Sequence, residues 1–212
     1  MERKHKRLAT PWAAGVAGTV FAILTATAIV LVRIAMPSGV DGAQVTVDAG
    51  QRSAVRTALE LIPFAGIAFL WFMGALREQA GEHEDKFVST VFLGSGLVFV
   101  ATLFGAAAAA WSVLDEGGQG SSFGRDVAYA LLTTYAMRMA AVFVMTTTTI
   151  AHRLGVLPRP LTVVGYLAGL TLLVVGANVP WSELVFPAWV LVLSLNTLWS
   201  RRSTASRTTA ST

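Results

Sequence analysis

Glu60, Arg138 and Glu183 are ionisable residues set in apolar surroundings. Arg138 lies in the middle of LLTTYAMRMAAVFVM, Leu131–Met145, and Glu60 lies in RTALELIPFAG. A central arginine costs about 2.5–3.5 kcal/mol to place in a bilayer, so it should face other helices and hold a partner. An arginine and a carboxylate meeting in such a place can do one of two things. They can neutralise each other as a buried ion pair that fixes helix register. Alternatively, they can line a polar cavity that binds an ion or a polar solute.

The candidates for either role are Glu60, Arg138, Arg56, Tyr135 and Glu183. Helical side chains lean toward the N-terminus, so Arg138 is expected to reach back past Thr134 and Tyr135 toward Glu60. Arg56 stands one turn before Glu60 and competes for it. Pro63, three residues after Glu60, removes the donor for the Leu59 carbonyl and predicts a kink there. Glu183 is expected near the start of the last helix, as a cap or as a member of the same cluster.

Other chemistry finds little support. The chain has no cysteine, which excludes disulfides, thiol nucleophiles and Cys-ligated metal. His5, His83 and His152 all fall outside the apolar runs, so no haem is held between two histidines of the spans. GEHEDK, Gly81–Lys86, lacks the i, i+4 histidine spacing of a zincin helix and reads as a solvated loop. The threonines Thr146–Thr149 are expected to bond their own helix carbonyls. No nucleophile–base–acid set is present, so the expectations are no enzyme activity, no cofactor and no metal.

The elements that position these residues follow from hydropathy. Of the 212 residues, 54% are hydrophobic and 13% charged, about half the charged share of soluble domains. Mean hydropathy is +0.63. Apolar runs near the ~20 residues of a membrane span occur at about 12–32, 54–76, 87–113, 127–150, 161–177 and 181–199. The fold class is therefore all-α, a polytopic membrane protein with a six-transmembrane-helix bundle over residues 1–200. Residues 201–212, polar and of low complexity, are expected to be a disordered cytoplasmic tail.

Basic residues set the orientation. With the N-terminus inside, Arg3, Lys4, Lys6, Arg7, Arg77, Lys86, Arg153, Arg159, Arg201, Arg202 and Arg207 are cytoplasmic. The outer segments then hold Arg52 and Arg125, with Arg33 and Arg56 at outer span ends, and collect Asp41, Asp48, Asp115, Glu116, Asp126 and Glu183. Both termini are cytoplasmic. The sequence pI near 10.0 reflects this topology and not a nucleic-acid partner. The first apolar run is longer than the roughly 7–15 residues of a signal-peptide core and reads as an uncleaved span. Ala177–Trp181, ANVPW, reads as a tight turn, with Asn178 closing one helix and Pro180 opening the next.

Small residues recur at Ala14, Gly18, Ala22 and Ala26, and again at Gly94, Ala101, Gly105 and Ala108. They allow close helix packing, chiefly within the chain. The two halves share no visible internal repeat.

The stretch RLGVLPRPLTVVGYLAGLTLLVVGA, Arg153–Ala177, resembles a Leu-Pro-Arg-aromatic-Leu loop with a Gly-bearing apolar helix after it. That pattern belongs to six-span bacterial integral membrane proteins grouped as a domain of unknown function. Phe69–Ala101 is similar to members of the same group, and Pro160 stands where the loop has an aromatic residue. The resemblance covers the second to sixth spans. It implies a six-helix fold in a bacterial plasma membrane and assigns no catalytic residue. The expected function is a non-catalytic accessory or interaction subunit, with a membrane-protein partner or homo-oligomer besides the lipid bilayer. The alternative is a small-solute or ion transporter using Glu60 and Arg138.

Overall fold

A computed structural model describes residues 10–35, 49–80, 86–115, 122–155, 157–175, 179 and 181–208. The described residues are helical apart from short turns. The helices are α1 (Thr10–Ala35), α2 (Ala49–Ala80), α3 (Lys86–Asp115), α4 (Ser122–Tyr129), α5 (Met137–Arg153), α6 (Arg159–Val174) and α7 (Val185–Thr208). A π-helical segment, Ala130–Ala136, joins α4 to α5, and a 3-10 turn, Ser182–Leu184, leads into α7. Treating α4, the π segment and α5 as one rod gives six.

Among the described residues, five helical stretches are long and apolar enough to cross a membrane: Trp12–Ile34, Ala49–Gln79, Lys86–Ser112, Phe123–Arg153 and Ser182–Trp199. This is the architecture of a membrane protein. The fifth expected span is the short α6, with 16 residues. At 1.5 Å per residue it measures about 24 Å, less than a ~30 Å hydrocarbon core. The 32 residues of α2 run about 48 Å.

Helix ends differ from expectation where propagation is cheap. Adding a residue to an existing helix fixes one more residue for one more hydrogen bond. So α2 begins at Ala49 and α4 at Ser122, inside stretches expected to be polar loops. Likewise α7 runs on to Thr208, so 201–208 of the expected tail is helical, and 209–212 lie outside the described residues. Also outside them lie His5, His83 with most of GEHEDK, Asn178 and Pro180. The backbone of α2 passes through Pro63 without a break. Pro187 falls in the first turn of α7, where a missing N–H is tolerated.

The α5–α6 connection is written in RLGVLPRP. Gly155 adopts φ +66°, and its N–H donates to the His152 carbonyl at 3.0 Å, ending α5 with a left-handed residue. Pro158 is extended, with ψ 147°, and Pro160 sits in the first turn of α6. The resulting hairpin is tight. A side chain at Gly165 would run into Thr148 of α5 and approach Trp189 of α7, and one at Gly169 would meet Met145.

Packing proceeds around the bundle. α1 lies against α2 and α7, α2 against α3, α3 against the rod of α4, π segment and α5, and α5 against α6. Neighbours are antiparallel. Gly66 faces Phe104 while Met73 faces Gly96; Gly96 faces Phe143 while Gly105 faces Leu131. α2 and α5 are therefore parallel, with α3 between them. At the centre five helices contribute phenyl rings. Phe69 lies 4.9 Å from Phe21, 5.1 Å from Phe99 and 4.9 Å from Phe143. Phe186 lies 4.9 Å from Phe99. In lipid, helix association rests on such van der Waals packing, since burial from water contributes little there.

This aromatic layer gives a reference height. Phe186 follows Glu183 by under one turn, so the α6–α7 connection lies close to the layer. α2, α3 and the α4–α5 rod continue for several turns beyond it on the same side. Arg33, near the end of α1, reaches that connection and meets Glu183 there.

Candidate functional site

Arg138 sits one residue into α5, directly after the π segment. Where a helix returns from i+5 to i+4 bonding, the carbonyl ladder loses register and gains from an extra donor. Arg138 provides one: Nη1 donates to the Thr134 carbonyl at 3.0 Å. The side chain leans toward its own N-terminus, as expected. It does not face the bundle interior. Arg138 is exposed, and so is Tyr135, at 57%. Residues 141, 145 and 148, which continue the stripe of Arg138 along α5, are covered by α6, as Gly165 and Gly169 show. That pairing brings Val174, the last residue of α6, only to about the height of Arg138, so no further turn of α6 screens the guanidinium.

Glu60 does not meet Arg138. Its Oε1 lies 3.4 Å from Nε of Arg56, and both side chains are exposed, at 57% and 67%. The competitor on the same helix face holds the carboxylate, because α3 stands between α2 and α5. Arg56 also places its guanidinium carbon 5.3 Å from the centroid of the Trp111 ring of α3. The α2–α3 edge therefore carries a cation held by a carboxylate and an aromatic face.

A buried ion pair exists elsewhere. Nη2 of Arg33, near the end of α1, lies 2.5 Å from Oε1 of Glu183 in the 3-10 turn before α7. Glu183 is 4% exposed, and its Oε2 has no hydrogen-bond partner among the described residues. The sequence marks Arg33 only as a topology residue at a span end. Two signals point to it. A side chain near the C-terminus of a helix leans back into the bundle, and Glu183 is the one acid in the α6–α7 hairpin. Just before the turn, Trp181 adopts φ 71°, a left-handed conformation uncommon for a bulky residue.

The remaining polar groups in the spans divide in two. Thr146 and Thr149 donate to the Val142 and Met145 carbonyls at 2.8 Å, and Thr149 also meets the Tyr166 hydroxyl at 2.9 Å. Thr25, Thr147, Thr148 and Ser194 are buried with hydroxyls that have no partner among the described residues. No group of three potential metal ligands occurs among the described residues.

The five candidates thus separate into an exposed pair on α2, an exposed arginine and tyrosine on the α4–α5 rod, and Glu183 inside the bundle. Arg56, Glu60 and Arg138 display charge on an apolar surface, while Glu183 does not. No family model, curated protein or solved structure matches the chain.

Proposed function

We propose that this protein is a non-catalytic membrane subunit that works by associating with another membrane-embedded chain. The observation that carries this reading is Arg138: an exposed guanidinium on an otherwise apolar wall, bonded to its own helix backbone. A charge at that height favours an acidic partner over lipid. Orientation follows the basic residues, with both termini in the cytoplasm of a bacterial plasma membrane and the end of the bundle that carries Arg33 outside. α6 is then a sixth, short span. The likeness of Arg153–Ala177 to the loop and helix of six-span bacterial proteins fits this arrangement.

The test is purification from native membranes in mild detergent, with and without Arg138→Met. A stoichiometric companion chain or self-assembly that is lost in the variant supports the reading. A chain that is monomeric and alone in both forms overturns it.

A second reading, translocation of an ion or small polar solute, draws on one feature. Among the described residues, Glu183 has an oxygen without a hydrogen-bond partner beside Arg33, and the Thr25 and Ser194 hydroxyls further along α1 and α7 are likewise without one. Proteoliposome uptake that disappears in Glu183→Gln, while the fold is retained, would favour it.

A further inference from the structure

We propose that the associating partner is a different membrane protein, one of whose spanning helices docks above the end of α6 and sets a carboxylate against Arg138. This inference rests on the association reading above and names the docking surface and the chemistry that fits it.

The site is a step in the bundle. Ala141, Met145 and Thr148 lie under α6, and Arg138 continues their stripe along α5. α6 stops at that level: Val174, its last residue, is 67% exposed. The rod runs on for sixteen residues past Arg138, to Ser122, or about 20 Å. Over that length α4 and the π segment pack chiefly against α3. No further described helix flanks the rod where α6 would continue. Tyr135 and Tyr129 are accordingly exposed, at 57% and 58%. The π segment belongs to this same stretch, and such segments are rare and often sit at functional sites.

The occupant follows from charge. A guanidinium has five N–H donors in a planar fork, and the Thr134 carbonyl takes one of those of Arg138. A carboxylate fits the remainder in bidentate fashion. Thr134 precedes Phe143 by nine residues, so the charge stands about 13 Å beyond the aromatic layer. The acid that meets it there comes from within a spanning helix. A second copy of this chain has none to offer. Of its 12 acidic residues only Glu60 and Glu183 fall within the apolar runs. Glu60 is held by Arg56 on the α2–α3 edge, and Glu183 is buried against Arg33. The partner is therefore another protein.

The outward side of α6 gives its route. Val163, Leu167, Leu170 and Val174 are exposed and apolar, so a helix packed along them reaches Arg138 as soon as α6 ends. An acid on that helix is costly against hydrocarbon and is compensated by pairing. Each chain thus carries half of an ion pair that neither closes alone.

A photoreactive side chain placed at Tyr135 or Tyr129, in native membranes, should cross-link to a different membrane-embedded chain. The same group at Ile23, exposed on α1, should not. Arg138→Gln should lower the adduct yield by about tenfold or more. Arg138→Lys, which keeps the charge without the fork, should retain more of it. Neutralising the acid in the span of the captured chain, Asp→Asn or Glu→Gln, should match the loss in Arg138→Gln, and exchanging the two charges should restore the adduct. Unchanged melting in detergent shows that each variant is folded. Equal yields in the parent and Arg138→Gln, adducts with lipid alone, or a captured chain with no acid in its spans would overturn the proposal. An adduct between two copies of this chain also overturns it, but leaves the association reading standing. The same holds for a companion that co-purifies through Arg138 yet is never captured at Tyr135 or Tyr129. A chain recovered alone and monomeric in every form sinks both.

Discussion

Arg33 and Arg138 illustrate how one residue type can have opposite weight. Arg33 is held against a buried carboxylate, and removing either member leaves the other charge uncompensated. Arg33→Ala or Glu183→Ala should each destabilise the bundle by about 3–5 kcal/mol, and a joint change to Met and Leu should recover much of that. Thermal unfolding in detergent measures this. Equal melting temperatures for the parent and both single variants would discard the ion pair as a stabilising element. Arg138 and Glu60, being exposed, should behave differently. At dilutions where the chain is monomeric, Arg138→Met and Glu60→Gln should stay within about 0.5 kcal/mol of the parent, as surface changes do. Trp181 adds a third case. Left-handed backbone costs a residue with a Cβ roughly 1–2 kcal/mol, so Trp181→Gly should raise the melting temperature unless the indole itself anchors the turn.

At the scale of elements, the tightest joint is the α5–α6 hairpin. Gly165→Val would push Thr148 and Trp189 apart and should cost about 1–3 kcal/mol, the range for overpacking a filled interface. Gly94→Val, by contrast, meets open space and should leave folding intact. Comparing the two melting curves checks the assignment of inner and outer faces. The helices themselves are legible in the sequence, because a stretch of about 20 apolar residues in lipid has to bond its own backbone. The turn at Gly155 is also legible from its glycine and prolines. Side-chain pairing is not. Glu60 and Arg138 stand at compatible depths in sequence, but their meeting depends on which helix lies between α2 and α5. The burial of Arg138 depends on how far α6 reaches. Both are properties of neighbours that no local pattern encodes. Arg33 escapes notice for the same reason: its partner lies 150 residues away.

For the whole molecule, the phenyl cluster is the common ground of α1, α2, α3, α5 and α7. Phe69 touches four other rings of this layer besides Phe72. Phe69→Ala should cost about 3–5 kcal/mol and loosen all five helices together, seen as lost cooperativity in the melt. The orientation can be read directly as well. A cysteine at Asp126, which is exposed, should react with an impermeant maleimide on intact cells, and one at Arg153 only after lysis; the reverse pattern would invert the topology. The unequal helices have a consequence for the surrounding lipid. On the side of α2 and α3 the apolar wall is tall, while α6, at about 24 Å, is shorter than an average hydrocarbon core. Acyl chains beside α6 must compress or tilt, at fractions of a kcal/mol per Å of mismatch. With α6 as the proposed sixth span, the protein should thin the bilayer along that flank and partition toward thinner membrane or toward neighbours that relieve the strain along that edge.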